Sequence, residues 1–75
     1  MKLQLKEVIG HVEVTPKEME VVILLSKDLT ITQIASELNE KVRTVEARVL
    51  HLKKKTETKT LHGLLWLFYK NDLIN

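Results

Sequence analysis

The sequence of 75 residues contains no cysteine, which excludes disulfide bonds and thiolate metal sites. The three histidines, His11, His51 and His62, are never three or four residues apart, so no two of them form a helical metal-ligand pair. A Gly-rich phosphate loop, a nucleophile elbow and a convergent carboxylate pair are missing as well. We therefore expect no metal or other cofactor, and no enzymatic activity.

Long apolar segments are also missing. The longest apolar run covers residues 64–69, whereas about 20 residues are needed to span a bilayer. The N-terminal stretch MKLQLKEVIG lacks the apolar region of a signal peptide. These features predict a cytoplasmic protein that makes no contact with a membrane, and the chain length predicts one small domain.

The charge is unevenly distributed along the chain. Residues 1–38 hold four lysines and six acidic residues, a net charge of −2, whereas residues 39–75 hold eight lysines and arginines and four acidic residues, a net charge of +4. A basic second half on a small domain indicates an anionic partner. The alternative is a charged surface that is only solvated.

Residues 2–14 carry a mixed pattern. Parts of this segment alternate like a strand, other parts keep helical spacing, and Gly10 interrupts both patterns. We interpret the segment as a short helix that ends at Gly10. Residues 1–13 are then an N-terminal extension, and residues 14–75 form the domain.

The first helix of the domain has a clear start signal. Thr15 has the character of an N-cap, Pro16 suits the first helical position, and Glu18 completes a capping box with Thr15. The helix is predicted to run from Pro16 to about Ser26 and to end in a turn with Asp28 in the left-handed conformation. Its buried residues are predicted to be Val21, Val22, Leu24 and Leu25.

A second capping box, formed by Thr30 and Gln33, predicts a short helix that ends near Leu38. Asn39 follows and is able to adopt a positive φ in a tight turn. One face of this helix is predicted to be apolar, with residues Ile31, Ile34, Ala35 and Leu38.

The third helix is predicted over residues 42–54. Helical spacing gives it a buried stripe of Val42, Val45, Val49 and Leu52. The same spacing gives an outward face of Arg43, Ala47, Leu50 and Lys54, with Thr44, Arg48 and His51 along one flank. Two short helices joined by a tight turn, the second basic, indicate a helix-turn-helix whose second helix enters the major groove of double-stranded DNA.

The candidate DNA contacts follow from this geometry. Arginine suits a bidentate contact to guanine, and a run of lysines suits phosphate contacts. The predicted DNA-binding residues are Arg43, Thr44, Ala47, Arg48, His51, Lys53, Lys54 and Lys55. Glu46 lies near them and either accepts a hydrogen bond from cytosine or pairs with Arg43 or Lys53. Leu50 faces outward and suits a thymine methyl group or a protein partner.

The sequence resembles the LuxR/GerE-type helix-turn-helix domains of bacterial transcription regulators, over residues 14–74 and without a gap. The motif consists of Thr15-Pro16, Glu18, Glu20-Val21, Leu24-Leu25, Leu29-Thr30, Ile34-Ala35, Leu38, Thr44-Val45, Val49, Leu52 and Lys55, followed by Lys70-Asn71 and Leu73-Ile74. The resemblance implies four helices, the third as recognition helix and the fourth as a common dimer contact. Glu46 departs from the family, which commonly has lysine there, and this leaves the recognised sequence open.

The fourth helix is predicted from a cap at Thr58 or Thr60 to about Lys70. Its inward face is predicted to hold Leu61, Leu64, Leu65 and Phe68. The outer side holds Gly63, Trp66, Leu67 and Lys70, which we interpret as a dimer or partner interface because an exposed tryptophan is a typical interface anchor. The alternative is that Trp66 packs on the N-terminal extension.

These observations predict an all-α, four-helix helix-turn-helix domain that regulates transcription by binding DNA as a homodimer. We expect a cytoplasmic, nucleoid-associated protein of a bacterium or a phage. These residues leave no room for a receiver or ligand-sensing domain, so we expect any signal to arrive through abundance, oligomerisation or a partner. Another regulator or RNA polymerase is a candidate for such a partner. The alternative function is a protein-interaction module that binds and modulates another regulator without reading DNA.

Overall fold

Four helices follow a short antiparallel hairpin in the computed structural model, which describes residues 7–9 and 12–74. The strands are β1 (Glu7–Ile9) and β2 (Val12–Val14). The helices are α1 (Pro16–Ser26), α2 (Ile31–Glu37), α3 (Val42–Thr56) and α4 (Leu61–Lys70). The predicted all-α class with four helices is confirmed, with the hairpin added in front.

The hairpin replaces the short helix predicted before Gly10. Glu7 pairs with Val14 and Ile9 with Val12, so the helix prediction is wrong for residues 7–9. β-Branched valine and isoleucine favour extended backbone, and Val14 is fully buried in the core at the end of β2. Residues 2–6 and Gly10, on which the rest of that prediction falls, lie outside the described residues.

Both predicted capping boxes are present. Thr15 Oγ1 accepts from the Glu18 N–H at 3.2 Å, and the Glu18 carboxylate accepts from the Thr15 N–H at 2.9 Å. The same reciprocal pair joins Thr30 and Gln33 at 3.2 and 2.8 Å. These bonds satisfy backbone donors that the first helical turn leaves free, and they fix where α1 and α2 begin.

All four helices end in the same way. In the two turns that flank α2, backbone N–H groups bond back across the last turn, from Leu29 to Leu24 O at 3.4 Å and from Glu40 to Ala35 O at 2.8 Å. The residue before each of these donors has a positive φ, as the Schellman motif requires. Positive φ values occur at Asp28 (67°), Asn39 (56°), Glu57 (57°) and Asp72 (62°). The left-handed conformations predicted for Asp28 and Asn39 are confirmed.

The core consists of two clusters that share α1 and α3. The first cluster contains Val14, Val22, Leu52, Leu64 and Phe68. The second contains Val21, Leu25, Ile34, Ala35, Val45 and Val49. Most of the predicted stripes are buried, but Val42 and Leu61 are each 38% exposed. Each of these two residues lies in the first turn of its helix, whereas the buried residues of the same helix lie in later turns.

The boundaries of the last two helices differ slightly from the prediction. α3 continues to Thr56, whose hydroxyl donates to Leu52 O at 2.6 Å. α4 is capped by Thr60 rather than Thr58, since Thr60 Oγ1 accepts from the Gly63 N–H at 2.9 Å. Among the described residues, no helix is long and apolar enough to cross a membrane.

Candidate nucleic-acid interface

The outward face of α3 is exposed from its first turn to its last. Val45, Val49 and Leu52 bury the opposite face, which fixes the rotation of the helix about its axis. The exposed stripe consists of Arg43, Ala47, Leu50 and Lys54. α3 has 15 residues and, at about 1.5 Å per residue, is about 22 Å long. A helix of this length is able to lie in the major groove of DNA.

Arg48 does not lie on this open stripe. Its guanidinium donates to the Glu40 carboxylate, which comes from the turn between α2 and α3, and its side chain is only 25% exposed. Lys17 Nζ of α1 lies 3.7 Å from the other Glu40 oxygen. The hydrogen bond from Arg48 is the main reason why the pKa of Glu40 lies below its ordinary value, so this carboxylate stays charged. The pair ties α3 to the turn that precedes it.

Lys55 is also engaged within the molecule. Its ammonium donates to both Glu18 oxygens, at 2.9 and 3.1 Å, and to the Glu13 backbone oxygen at 2.9 Å. Burial raises the pKa of the Glu18 carboxyl, but hydrogen bonds from the Thr15 N–H and from Lys55 outweigh it, so the pKa lies below its ordinary value. His51 Nε2 lies 3.9 Å from Glu18 Oε2, at the exposed edge of this cluster.

The remaining predicted contacts divide by position. Thr44 is half-buried and His51 exposed, and both flank the stripe on the side of Arg48. Lys53 is half-buried on the other side. Within the described part of the chain, Arg43 and Lys54 form no ion pair. The structure therefore brings Arg43, Thr44, Ala47, His51 and Lys54 to one accessible surface, whereas Arg48 and Lys55 are held by carboxylates.

Sequence reasoning did not anticipate those two carboxylates. Glu18 was expected only as a helix cap, yet it also receives Lys55, which lies 37 residues further along the chain. Nor was a partner expected for Glu40, which directly follows the predicted turn residue Asn39. The available signal for the pair of Glu18 and Lys55 was a surplus of acidic residues in the first half and of basic residues in the second. Glu40 and Arg48 both lie in the second half, so this signal does not apply to them.

A groove of about 310 Å³ runs beside the stripe. It lies between the N-terminal turns of α2 and α4 and the middle of α3. The residues that line it are Ile31, Glu46, Val49, Leu50, Lys53 and Leu61. Leu50 belongs both to this groove and to the outward stripe, and it is 52% exposed. The acidic Glu46 and the basic Lys53 lie at its polar rim, but no ion pair joins them among the described residues.

The exposed side of α4 is aromatic. Trp66 and Tyr69 are 55% and 53% exposed, and their rings stack with centroids 5.7 Å apart. Lys70 is exposed beside them, but Leu67 is half-buried against the first core cluster. Gly63 is half-buried, and a Cβ there would meet Thr60 Oγ1 at 3.2 Å, so this glycine makes room for the cap of its own helix. Tyr69 therefore belongs to the exposed face, and Leu67 contributes mainly to the core.

The alternative position for Trp66, against the N-terminal extension, concerns a segment of which residues 1–6, 10 and 11 lie outside the described part of the chain. In the same described part, no group of three or more potential metal ligands occurs.

Comparisons with protein-family models, curated proteins and solved structures find no match to this chain. The resemblance to LuxR/GerE-type domains therefore depends on the sequence motif alone.

Proposed function

We propose that the protein is a sequence-specific transcription regulator that binds double-stranded DNA with α3 in the major groove. The observation that carries the proposal is the unobstructed outward face of α3, with Arg43 near its start and Lys54 near its end. An α-helix fits the major groove, where arginine recognises guanine and lysine contacts phosphate. The cytoplasmic and nucleoid location belongs to the same proposal.

The two ion pairs support this role by holding the helix. Glu40 binds Arg48, and Glu18 binds Lys55 two helical turns later on the same flank. Both pairs lie beside the stripe, so they do not cover Arg43 or Lys54. A reading helix that is fixed before binding loses less conformational freedom when it docks on DNA.

The experiment is a DNA titration at two salt concentrations with wild type, Arg43→Ala and Lys27→Ala. Lys27 is an exposed cation in the turn after α1, so its variant is a matched control for the loss of one positive charge. Wild-type affinity should fall steeply as salt rises. Arg43→Ala should weaken specific binding by about 1–3 kcal/mol and relax sequence preference, while Lys27→Ala should leave the preference unchanged. Negligible wild-type affinity at low salt contradicts the proposal.

The proposal includes a homodimer formed through α4. Trp66 and Tyr69 present a large rigid aromatic surface, and such residues are common anchors of interfaces. A two-fold axis at α4 gives two copies of α3 for two half-sites about one DNA turn apart. Sedimentation should give a dimer for wild type at micromolar concentration and a monomer for Trp66→Ala. Ile23→Ala, which removes an exposed apolar side chain from α1, is the control and should remain a dimer. A monomeric wild type contradicts this part.

The second candidate is a protein-interaction module that binds another regulator or RNA polymerase. The engagement of Arg48 and Lys55 within the molecule favours it, because two of the expected DNA-binding cations are committed elsewhere. Exposed Leu50 and Trp66 favour it as well. The titration separates the candidates, since this module requires no affinity for DNA at low salt.

A further inference from the structure

Leu50 is an apolar side chain in a line of residues suited to DNA. It lies seven residues after Arg43 and three after Ala47, which places all three within about 60° of rotation on the helix. Its side chain is 52% exposed, whereas the apolar residues Val45 and Val49 of the same helix are buried. The exposure of Leu50 therefore follows from its position on the stripe, where about half of its surface is open to solvent.

The major groove offers one apolar group at its base edges. Guanine, adenine and cytosine present hydrogen-bond donors and acceptors there, whereas thymine also presents its 5-methyl group. A leucine side chain has no polar atom, so it gains nothing from the other three bases. Ala47 carries only a methyl side chain one turn earlier, which lets the backbone of α3 approach the base edges closely.

We infer that Leu50 is a specificity-determining residue that contacts the methyl group of a thymine. This inference rests on the proposed function, because it requires α3 to lie in the major groove. The seven residues from Arg43 to Leu50 span about 10 Å along the helix axis. Base pairs follow one another at about 3.4 Å, so the thymine lies about three base pairs from the base that Arg43 contacts.

The neighbours of Leu50 support its position on this surface. On the side away from His51, Leu50 lines the groove together with Val49, Ile31 and Leu61. The other side of Leu50, toward the stripe, is open to solvent. Leu61 lines the same groove but belongs to α4, so it provides a control residue of equal chemistry outside α3.

The test begins with a selection of duplexes from a pool with a random central segment, using wild type, Leu50→Ala and Leu61→Ala. Each thymine of the duplex that wild type selects is then replaced by uracil, which pairs in the same way but lacks the methyl group. For wild type, one uracil position should weaken binding about four-fold, the value of one buried methyl group. Leu61→Ala should show the same loss, and Leu50→Ala should show none at that position.

A further variant, Leu50→Gln, should change the preferred base at that position from thymine to adenine, because glutamine bonds to the adenine edge. The inference is overturned if wild type prefers the selected thymine duplex to the random pool but binds every uracil-substituted duplex as tightly as that thymine duplex. It is also overturned if Leu50→Ala keeps the sensitivity to uracil, which leaves Leu50 available to a protein partner. If no duplex is enriched and the affinity for DNA is negligible at low salt, both the proposed function and the inference on Leu50 fail. Thermal unfolding of each variant checks that the fold is retained.

Discussion

Lys55, in the last turn of α3, donates hydrogen bonds to both carboxylate oxygens of Glu18, in the first turn of α1. The same carboxylate accepts from the Thr15 N–H and so completes the cap of α1. One acidic side chain therefore starts one helix and fixes the end of another. Lys55 was expected to contact DNA phosphate, but in the free protein it links α3 to α1 through Glu18.

Replacing Lys55 by methionine should destabilise the protein. The change keeps most of the side-chain volume but leaves the carboxylate of Glu18, a residue that is 7% exposed, without its cation. We expect the free energy of unfolding in urea to fall by about 1–3 kcal/mol, as for other buried charged groups that lose a hydrogen-bond partner. Lys54→Met is the matched control, because Lys54 is exposed and unpaired among the described residues, and its stability should match wild type. Equal stability of the two variants contradicts the role of Lys55.

Stability should fall in acid because of Glu18. Its pKa is lowered in the folded protein, so folding favours the charged carboxylate. The corresponding stabilisation is fully present above the ordinary carboxyl pKa of about 4.5 and is lost as pH falls through the lower folded value. Unfolding measured from pH 7 down to pH 3 should show a decline that begins near pH 4.5. Glu18→Gln should be less stable at pH 7 and should decline less steeply, and an unchanged pH profile in this variant refutes the assignment.

Glu40→Gln should strengthen binding to DNA. The substitution removes a negative charge near α3 and releases the Arg48 guanidinium, which then becomes available to a phosphate. Buried Val45, Val49 and Leu52 still fix α3, so we expect this gain to exceed the loss of the ion pair. The plot of log K against log salt should become steeper by about one unit, and affinity at low salt should rise. Glu37→Gln removes an exposed charge at the end of α2 without releasing an arginine, so it should have a smaller effect. Identical salt slopes for the two variants argue against a released Arg48.

The left-handed residue after α3 offers a stabilising substitution. Glu57 has φ 57°, a conformation that costs about 1 kcal/mol for a residue with a Cβ atom and nothing for glycine. Its negative charge also lies at the negative end of the α3 dipole. Glu57→Gly should raise the free energy of unfolding by about 0.5–1 kcal/mol, after the larger entropy of the unfolded glycine chain is subtracted. Thermal unfolding measures the change, with Glu57→Ala as a control that removes the charge but keeps the strain.

Local features of the fold could be predicted from the sequence because their causes lie within a few residues. Thr15 with Glu18, and Thr30 with Gln33, determine two helix starts through bonds to their own neighbours. Asp28 and Asn39 mark two of the turns for the same reason. The rotation of α3 was predictable too, because Val45, Val49 and Leu52 repeat at helical spacing and are buried.

Features that depend on distant partners could not be predicted. The hairpin requires pairing between β1 and β2 as well as the burial of Val14, and the helical spacing of the same residues pointed elsewhere. The partner of Arg48 is eight residues away and that of Lys55 is 37 residues away. Helical spacing identifies the side of α3 on which a cation lies, but it does not identify the carboxylate that the fold brings to it.

The division of the core between two clusters has a consequence for how the molecule opens. α1 and α3 contribute buried side chains to both clusters, whereas those of α2 lie in the second and those of α4 and β2 in the first. The apolar contacts of α2 are confined to the second cluster, whereas half-buried Leu65 of α4 packs against both clusters. We therefore expect the amide protons of α2 to exchange faster with solvent than those of α1 and α3. α2 is then able to detach while α4 remains docked on α1 and α3. Opening of α2 therefore leaves α4 packed in the first cluster, and with it the aromatic surface of Trp66 and Tyr69.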